Sequence, residues 1–302
     1  MKPTSNRKPA LLFAAFLLVT GLASAAHASG RLQVVASIND LASIAASVGG
    51  EDVEVAAIAR ATSDVHRVEV LPSYMVRVAR AKVYLKVGLA LDQWADQIID
   101  GSRNTKLAVI DCSRAITALD KPAGRVDGRG GDVHPDGNPH YWLDPRNGAL
   151  VATLLAGEFT RLDPAHATGF QARAAAFGDS CRARHEAAKA ALAGLPTREI
   201  VTYHSSWVYF AAATGLSVAT TVEPVPGIPP TGGHLQKLVT LVKERRPVVL
   251  LQEPYFSDEA ARFLSRETGL RTASVSPSCA EPVAGSYLAH FDAVVAAITA
   301  GR

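Results

Sequence analysis

The chain has 302 residues, 48% of them apolar and 20% charged, so about two domains of roughly 100 to 200 residues can each bury a core. The formal net charge is +3, and Lys2, Arg7 and Lys8 at the N-terminus account for all of it. Because the rest of the chain is balanced in charge, we expect neither nucleic acid nor an anionic membrane surface as a partner.

The three cysteines are Cys112, Cys181 and Cys279, which lie far apart and form no CxxC pair. This pattern excludes a thiolate zinc knuckle and a dense disulfide scaffold, so a metal site must use histidine or carboxylate ligands. An oxidising compartment permits one disulfide, which leaves at least one cysteine unpaired or paired between chains. The sequence does not select a pair.

The first residues have the order of a secretory signal peptide. Basic residues precede an apolar run from Ala10 to about Ala23, and small residues follow up to Ala28. The apolar run is shorter than the roughly 20 residues that span a bilayer, which favours a cleaved signal over an anchoring helix. No cysteine follows the run to carry a lipid anchor. We therefore predict export to the periplasm, with residues 1–28 removed.

Short apolar strands alternate with helices along the rest of the chain. Predicted strands cover residues 32–37, 53–58, 83–87, 107–110, 199–202, 218–222, 248–251 and 272–275. Predicted helices cover residues 38–48, 71–79, 91–99 and 170–195, with others beginning near 145, 206, 234 and 258 and one close to the C-terminus.

This βα alternation predicts an α/β protein whose mostly parallel sheets are covered on both faces. The second half repeats the architecture of the first, and the long helix between them can bridge two lobes. We predict an N-terminal lobe over 29–165, a linking helix over 166–197 and a C-terminal lobe over 198–302. Residues 121–138, rich in Gly, Asp and Pro, are predicted to form a mobile surface loop.

Three histidines stand where a binding site is expected. Ligands of open α/β sheets bind beyond the carboxyl ends of the strands, and His66, His140 and His204 lie in loops of that kind. Three neutral imidazoles suit a borderline-soft divalent ion and leave a tetrahedral zinc one ligand short. Each histidine alone also fits a structural role: a bond to Asp64 for His66, core packing for His140 and a helix cap for His204.

The other histidines receive no assigned function. His134 lies on the Gly-rich loop, where we expect it to be exposed, with transient metal capture as the alternative. We expect His166, His185 and His234 on solvated helix faces, and His290 in the C-terminal helix.

The segments that carry the three histidines resemble one protein family. SDVHRVEVLPS is similar to a DPHxYEPxPSD motif, NPHYWLDP to HxWLDP, and YHSSWVYFA to SHxAFxYFA. These are motifs of the cluster A-I (cluster 9) solute-binding proteins of ABC transporters, the zinc and manganese receptors. The stretches KVYLKVGLALDQW and VVLLQEPYFSDEAARFLSRETGL resemble two further family segments, and several of these motifs occur in the family's order.

The resemblance implies two α/β lobes joined by one long helix, with a metal ion in the cleft. His66 and His140 of the first lobe and His204 of the second would bind Zn²⁺, and the loaded receptor, expected to be a monomer and not an enzyme, would pass it to an ABC membrane permease. Histidine at 204 is similar to the zinc-type members, which agrees with the preference of Mn²⁺ for oxygen ligands. The alternatives are the same role for Mn²⁺, Fe²⁺ or Cu²⁺, and a secreted three-histidine zinc hydrolase or lyase.

The sequence departs from the family pattern at the fourth ligand. Ser276 stands where the family often has Asp, and a hydroxyl is a poor zinc ligand. The fourth donor is then water or a carboxylate, for which Glu223 and Glu253 are candidates, with ordinary hydrogen bonding as the alternative for both. Val65 and Val68 also replace a Pro and an aromatic residue.

Two further features concern the surroundings of the site. His134 stands alone where many zinc-type members have a His-rich loop. A ligating imidazole usually donates its other N–H to a carboxylate, and Asp64, Glu69 and Asp144 are near enough in sequence to accept it. Asp144 equally fits the N-cap of a helix beginning at Pro145.

Overall fold

The computed structural model describes Met1 and residues 30–124 and 131–300. The predicted signal peptide and the central part of the predicted loop, residues 125–130, therefore lie outside the described residues.

The first lobe is a four-stranded parallel sheet with helices on its faces. Its strands are β1 (Leu32–Ala36), β2 (Val53–Ala57), β3 (Val83–Lys86) and β4 (Ala108–Asp111), in the order β2-β1-β3-β4. Its helices are α1 (Asn39–Gly49), α2 (Pro72–Arg80) and α3 (Trp94–Ser102). Strands β1 and β3 are central and mostly buried, as expected of parallel strands covered on both faces.

The second lobe repeats this arrangement. Its strands are β5 (Glu199–Thr202), β6 (Ser217–Thr221), β7 (Leu250–Gln252) and β8 (Thr272–Ser274), all parallel and in the order β6-β5-β7-β8. Helices α6 (Val208–Thr214), α7 (Gly232–Arg245) and α8 (Glu259–Thr268) follow its first three strands. In each sheet the second strand lies on one side of the first strand and the third strand lies on the other, so the strand order reverses beside β1 and β5. Open α/β sheets bind their ligands at such a point.

Two helices lie between the lobes in sequence, α4 (Pro145–Leu162) and α5 (Ala167–Ala193), and they pack along each other. Helix α5 has 27 residues, many of them Ala, and it ends at Gly194. It buries one row of side chains that includes Phe170, Phe177 and Leu192. This single helix is long enough to connect two separate sheets.

The lobes are also joined by side chains and by the last helix, α9 (Ser286–Thr299), which packs against α1 and α5. Ser43 Oγ of α1 donates to the Val283 carbonyl (2.6 Å), and Trp142 Nε1 donates to the Pro277 carbonyl (2.7 Å). Contacts of this kind fix the second lobe against the first without contributing to either sheet.

The structure confirms the predicted α/β class, with two parallel sheets and one long helix. The ends of most elements differ from the prediction by one to three residues, as is usual for terminal turns. Each of the three cysteines is a buried free thiol, so the disulfide left open by the sequence is not formed here. Within the described part of the chain, every helix is too short or too polar to cross a bilayer.

Candidate metal centre

Three histidines from distant parts of the chain meet in space. His66, His140 and His204 each offer a nitrogen atom, and these atoms lie within 4.8 Å of one another. The ring centroids are 5.1 Å apart for His66 and His140, 5.2 Å for His66 and His204, and 5.5 Å for His140 and His204. A tetrahedral ion with Zn–N bonds of about 2.0–2.1 Å holds its ligand atoms about 3.4 Å apart. A small contraction of the cluster therefore suffices to hold such an ion.

His66 is oriented by a side chain two residues earlier. Asp64 Oδ1 accepts hydrogen bonds from the backbone N–H and from Nδ1 of His66, both at 2.9 Å. Burial opposes ionisation of Asp64, but these bonds and the neighbouring imidazole outweigh it and lower the pKa of that carboxyl. Between them, Val65 is buried and its carbonyl accepts a bond from Trp94 Nε1 (3.0 Å). His66 Nε2 is left buried and without a hydrogen-bond partner.

His140 is oriented in the same way. Asn138 Oδ1 accepts from both the backbone N–H and Nδ1 of His140, each at 3.0 Å. The amide nitrogen of Asn138 donates to the carbonyl of Ser205 (2.8 Å), next to His204, so one side chain connects both lobes at the site. Burial, and then the neighbouring imidazoles, lower the pKa of His140 well below its usual value. His140 is consequently neutral at physiological pH, which is the form that binds a metal.

His204 follows β5 by two residues and is oriented by a remote side chain. Its Nδ1 donates to Glu223 Oε2 (2.7 Å), and both side chains are only 4% exposed. The same oxygen accepts from the backbone N–H of Gly227 (3.0 Å). Glu223, a candidate for the fourth ligand, therefore positions the imidazole by binding its other nitrogen.

The other carboxylate candidate, Glu253, and Ser276, which stands at the family's Asp position, both make hydrogen bonds outside the group of imidazoles; only Glu253 Oε2 is buried without a partner. Glu253 Oε1 accepts from Ser206 Oγ (2.9 Å) and Trp207 Nε1 (3.0 Å), and burial raises its pKa to about 8. Ser276 Oγ donates to the Ala61 carbonyl (2.7 Å). Among the described residues, the set of mutually close ligand atoms consists of the three histidines alone.

Of the carboxylates expected beside the imidazoles, Asp64 occupies that position and Asp144 does not. Asp144 Oδ1 accepts from the backbone N–H of Arg146 (2.8 Å), and its other oxygen pairs with the Arg146 guanidinium (2.7 Å). The N-cap interpretation of Asp144 is confirmed, since α4 begins at the next residue.

Several histidines differ from the sequence-based expectation. His185 is buried and its Nε2 is hydrogen-bonded to the Ala213 carbonyl (2.8 Å), because α5 packs that face against α6. His134, expected to be exposed, is half-buried with its ring centroid 5.3 Å from that of His66. One signal in the sequence points to this residue: the tripeptide Asp-Val-His occurs both at 64–66 and at 132–134.

Two lobes with the same strand order and a buried group of imidazoles define the class, a metal-binding solute-binding protein of an ABC transporter. A family model described as "Zinc-uptake complex component A periplasmic" (ZnuA) matches residues 34–301. The chain belongs to this family, whose members are periplasmic transport receptors that deliver a metal ion to a membrane permease.

Individual relatives are distant but cover most of the chain. The high-affinity zinc uptake protein ZnuA of Brucella abortus is 24% identical over 89% of this chain and 91% of its own length. The iron-binding protein YfeA of Yersinia pestis is 24% identical over 81% of this chain and 76% of its own. A crystal structure of ZnuA superimposes with a TM-score of 0.78 and 25% identity, covering 89% of this chain and 98% of that one.

Proposed function

We propose that this protein binds Zn²⁺ in the periplasm through His66, His140 and His204 and delivers it to the permease of an ABC importer. The observation that carries the proposal is the convergence of three largely buried imidazoles, each with Nδ1 already hydrogen-bonded to an acidic or amide side chain. In each ring Nε2 is then the nitrogen available to a metal. A histidine that binds a metal almost always donates its other ring N–H to a partner of this kind.

The choice of zinc rests on the chemistry of the donors. An all-nitrogen set suits Zn²⁺, whereas Mn²⁺ prefers carboxylate and carbonyl oxygen. Support also comes from the zinc uptake name of the Brucella relative, while the iron-binding name of the Yersinia relative keeps Fe²⁺ as the main alternative. We propose further that the protein acts as a monomer and is exported with cleavage after Ala28.

The catalytic alternative would need a general base beside the bound ion. Glu253 is the acidic residue that the sequence offers, but it is fully buried and one of its oxygens already accepts two hydrogen bonds. The matching family consists of transport receptors, and Glu253 is buried with Oε1 bound to Ser206 and Trp207. Both observations favour capture and delivery of a metal ion over hydrolysis.

The test is elemental analysis of protein purified from the periplasm without added metal. We expect about one zinc per chain, as a site built to hold one ion requires. A preparation whose main metal is iron or manganese would overturn the choice of zinc. Loading in vitro is the weaker test, because copper outcompetes other ions at most nitrogen sites.

A further inference from the structure

The site holds three imidazoles, and a tetrahedral ion takes four donors. Glu223 binds His204 and Glu253 Oε1 binds Ser206 and Trp207, and among the described residues neither carboxylate belongs to the group of mutually close ligand atoms. A fourth imidazole, that of His134, lies directly beside one of the three, His66.

His134 is half-buried beside His66, unlike a surface histidine. Its ring centroid is 5.3 Å from that of His66, a separation that falls within the range found among the three site histidines. Its Nε2 is buried and has no hydrogen-bond partner. The ring is hydrogen-bonded to the backbone of Ala90, and since Nε2 is unpartnered this bond is made by Nδ1. In His134, as in His66, Nδ1 makes a hydrogen bond and Nε2 has no partner.

The buried Nε2 of His134 has no hydrogen-bond partner, which costs free energy unless a cation or a donor satisfies it.

The backbone on the N-terminal side of His134 is fixed to both lobes. Asp132 N–H donates to the carbonyl of Pro226 (2.8 Å) in the second lobe, and the Asp132 carboxylate lies 3.4 Å from the Arg67 guanidinium in the first. Gly131 makes this approach possible, because it has φ +63° and a Cβ there would lie 2.1 Å from the Pro226 oxygen. Residues 131–134 therefore form a strap that connects the two lobes next to the site.

From this geometry we propose that His134 supplies the fourth ligand through Nε2, so that the loaded site is a four-imidazole centre. The inference rests on the proposed function and extends it. His134 lies beside the group of mutually close nitrogens, not within it, so binding requires its imidazole to move toward the other three rings. A centre without a carboxylate disfavours Mn²⁺ and favours Zn²⁺, which gives His134 a part in specificity.

The direct test is X-ray absorption spectroscopy of the zinc-loaded protein, which counts the imidazoles around the ion. We expect four in the unmodified protein, and three with one oxygen donor in His134→Gln. Competition with a chelator should show zinc affinity reduced by at least about tenfold, the lower limit for losing even an outer partner of a ligand. The matched control is His166→Gln, which removes an imidazole paired with Asp163 away from the site and should change neither quantity.

Gly131→Ala tests the strap without removing an imidazole. The added methyl group displaces the strap from Pro226. Zinc affinity should therefore fall when Gly131→Ala is made in the unmodified protein, and should change little when it is added to His134→Gln. Equal losses in both backgrounds would show that the strap acts independently of His134, and would contradict the proposal.

Three imidazoles in the unmodified protein, or a spectrum and affinity unaltered by His134→Gln, would overturn this inference and leave zinc binding by His66, His140 and His204 intact. Absence of zinc binding by the unmodified protein would instead refute the proposed function, and with it this extension. The two failures are therefore distinguishable in one series of measurements.

Discussion

The two lobes orient their imidazoles by different means. In the first lobe, Asp64 and Asn138 each stand two residues before the histidine that they orient, and each accepts from the backbone and the ring at once. In the second lobe, His204 is held by Glu223, 19 residues away beyond the next strand. The first arrangement is set by local sequence, whereas the second exists only when β5 and β6 pair in their native register.

The orientation of His204 is coupled to the position of the strap through Glu223. Glu223 also binds the backbone of Gly227, in the loop whose Pro226 carbonyl accepts from Asp132 of the strap. The orientation of the second-lobe imidazole and the position of the strap therefore depend on the same loop. His66 is oriented by Asp64 within its own loop, whereas the Asn138 amide that orients His140 also donates to the Ser205 carbonyl of the second lobe.

The largest effect is expected from removing an imidazole of either lobe. His140→Gln and His204→Gln should each reduce zinc affinity by more than about a hundredfold, the upper limit for losing only an outer partner of a ligand. Isothermal titration measures the affinity, and thermal unfolding checks the fold. His185→Gln, which removes a buried histidine outside the site, is the control and should bind zinc normally. An unchanged affinity in either variant would exclude that residue from the site.

The contrast between local and remote orientation is tested by Asp64→Asn and Glu223→Gln. Asn138 already performs for His140 the task that Asp64 performs for His66, so an amide oxygen is an adequate acceptor in the local geometry. We expect a loss of roughly tenfold or less for Asp64→Asn and closer to a hundredfold for Glu223→Gln.

Both affinities are measured by chelator competition at one pH. The reverse order of losses would show that charge at Asp64, and not the distance of the partner in sequence, decides how firmly an imidazole is held.

A smaller effect concerns the pH dependence of the metal-free protein. Burial raises the pKa of Glu253 from 4.5 to about 8, so between these values the folded protein keeps a proton that the unfolded chain has released. Glu253 therefore adds a downward slope to the free energy of unfolding between pH 4.5 and 8, opposite in sign to the slope from His140 and His134, whose pKa values are lowered. Glu253→Gln keeps an acceptor for Ser206 and Trp207 and should remove this contribution, as measured by urea unfolding.

Glu244→Gln, at an exposed site, is the control for that measurement and should leave the slope as it is. If Glu253→Gln has the same slope as the unmodified protein, Glu253 is already ionised in the folded state at neutral pH.

The sequence was sufficient for the features that are local. Apolar periodicity located the strands and helices, because buried parallel strands and amphipathic helices impose different spacings. The position of His204 after a strand, and the proximity of Asp64 to His66, were equally visible. The pairing of Glu223 with His204 was not, since a carboxylate after a strand carries no sign of which side chain it meets. The burial of His134 is not predictable from the sequence, because it depends on contacts of the strap with residues in both lobes, such as the bond of Asp132 to Arg67, 65 positions earlier.

The smallest expected effect compares two aspartates that make the same local bond. Asp64 and Asp144 each accept from the backbone N–H two residues later, but a ligand ring follows the first and the helix α4 follows the second. Asp144→Ala should therefore lower the free energy of unfolding by about 0.5–2 kcal/mol, as loss of an N-cap does, and leave zinc affinity unchanged. Asp64→Ala should do the opposite, weakening zinc binding with little change in stability. If Asp144→Ala weakened zinc binding as much as Asp64→Ala, the orientation of the imidazoles would depend on α4 as a whole, and a local pair would not be enough to set it.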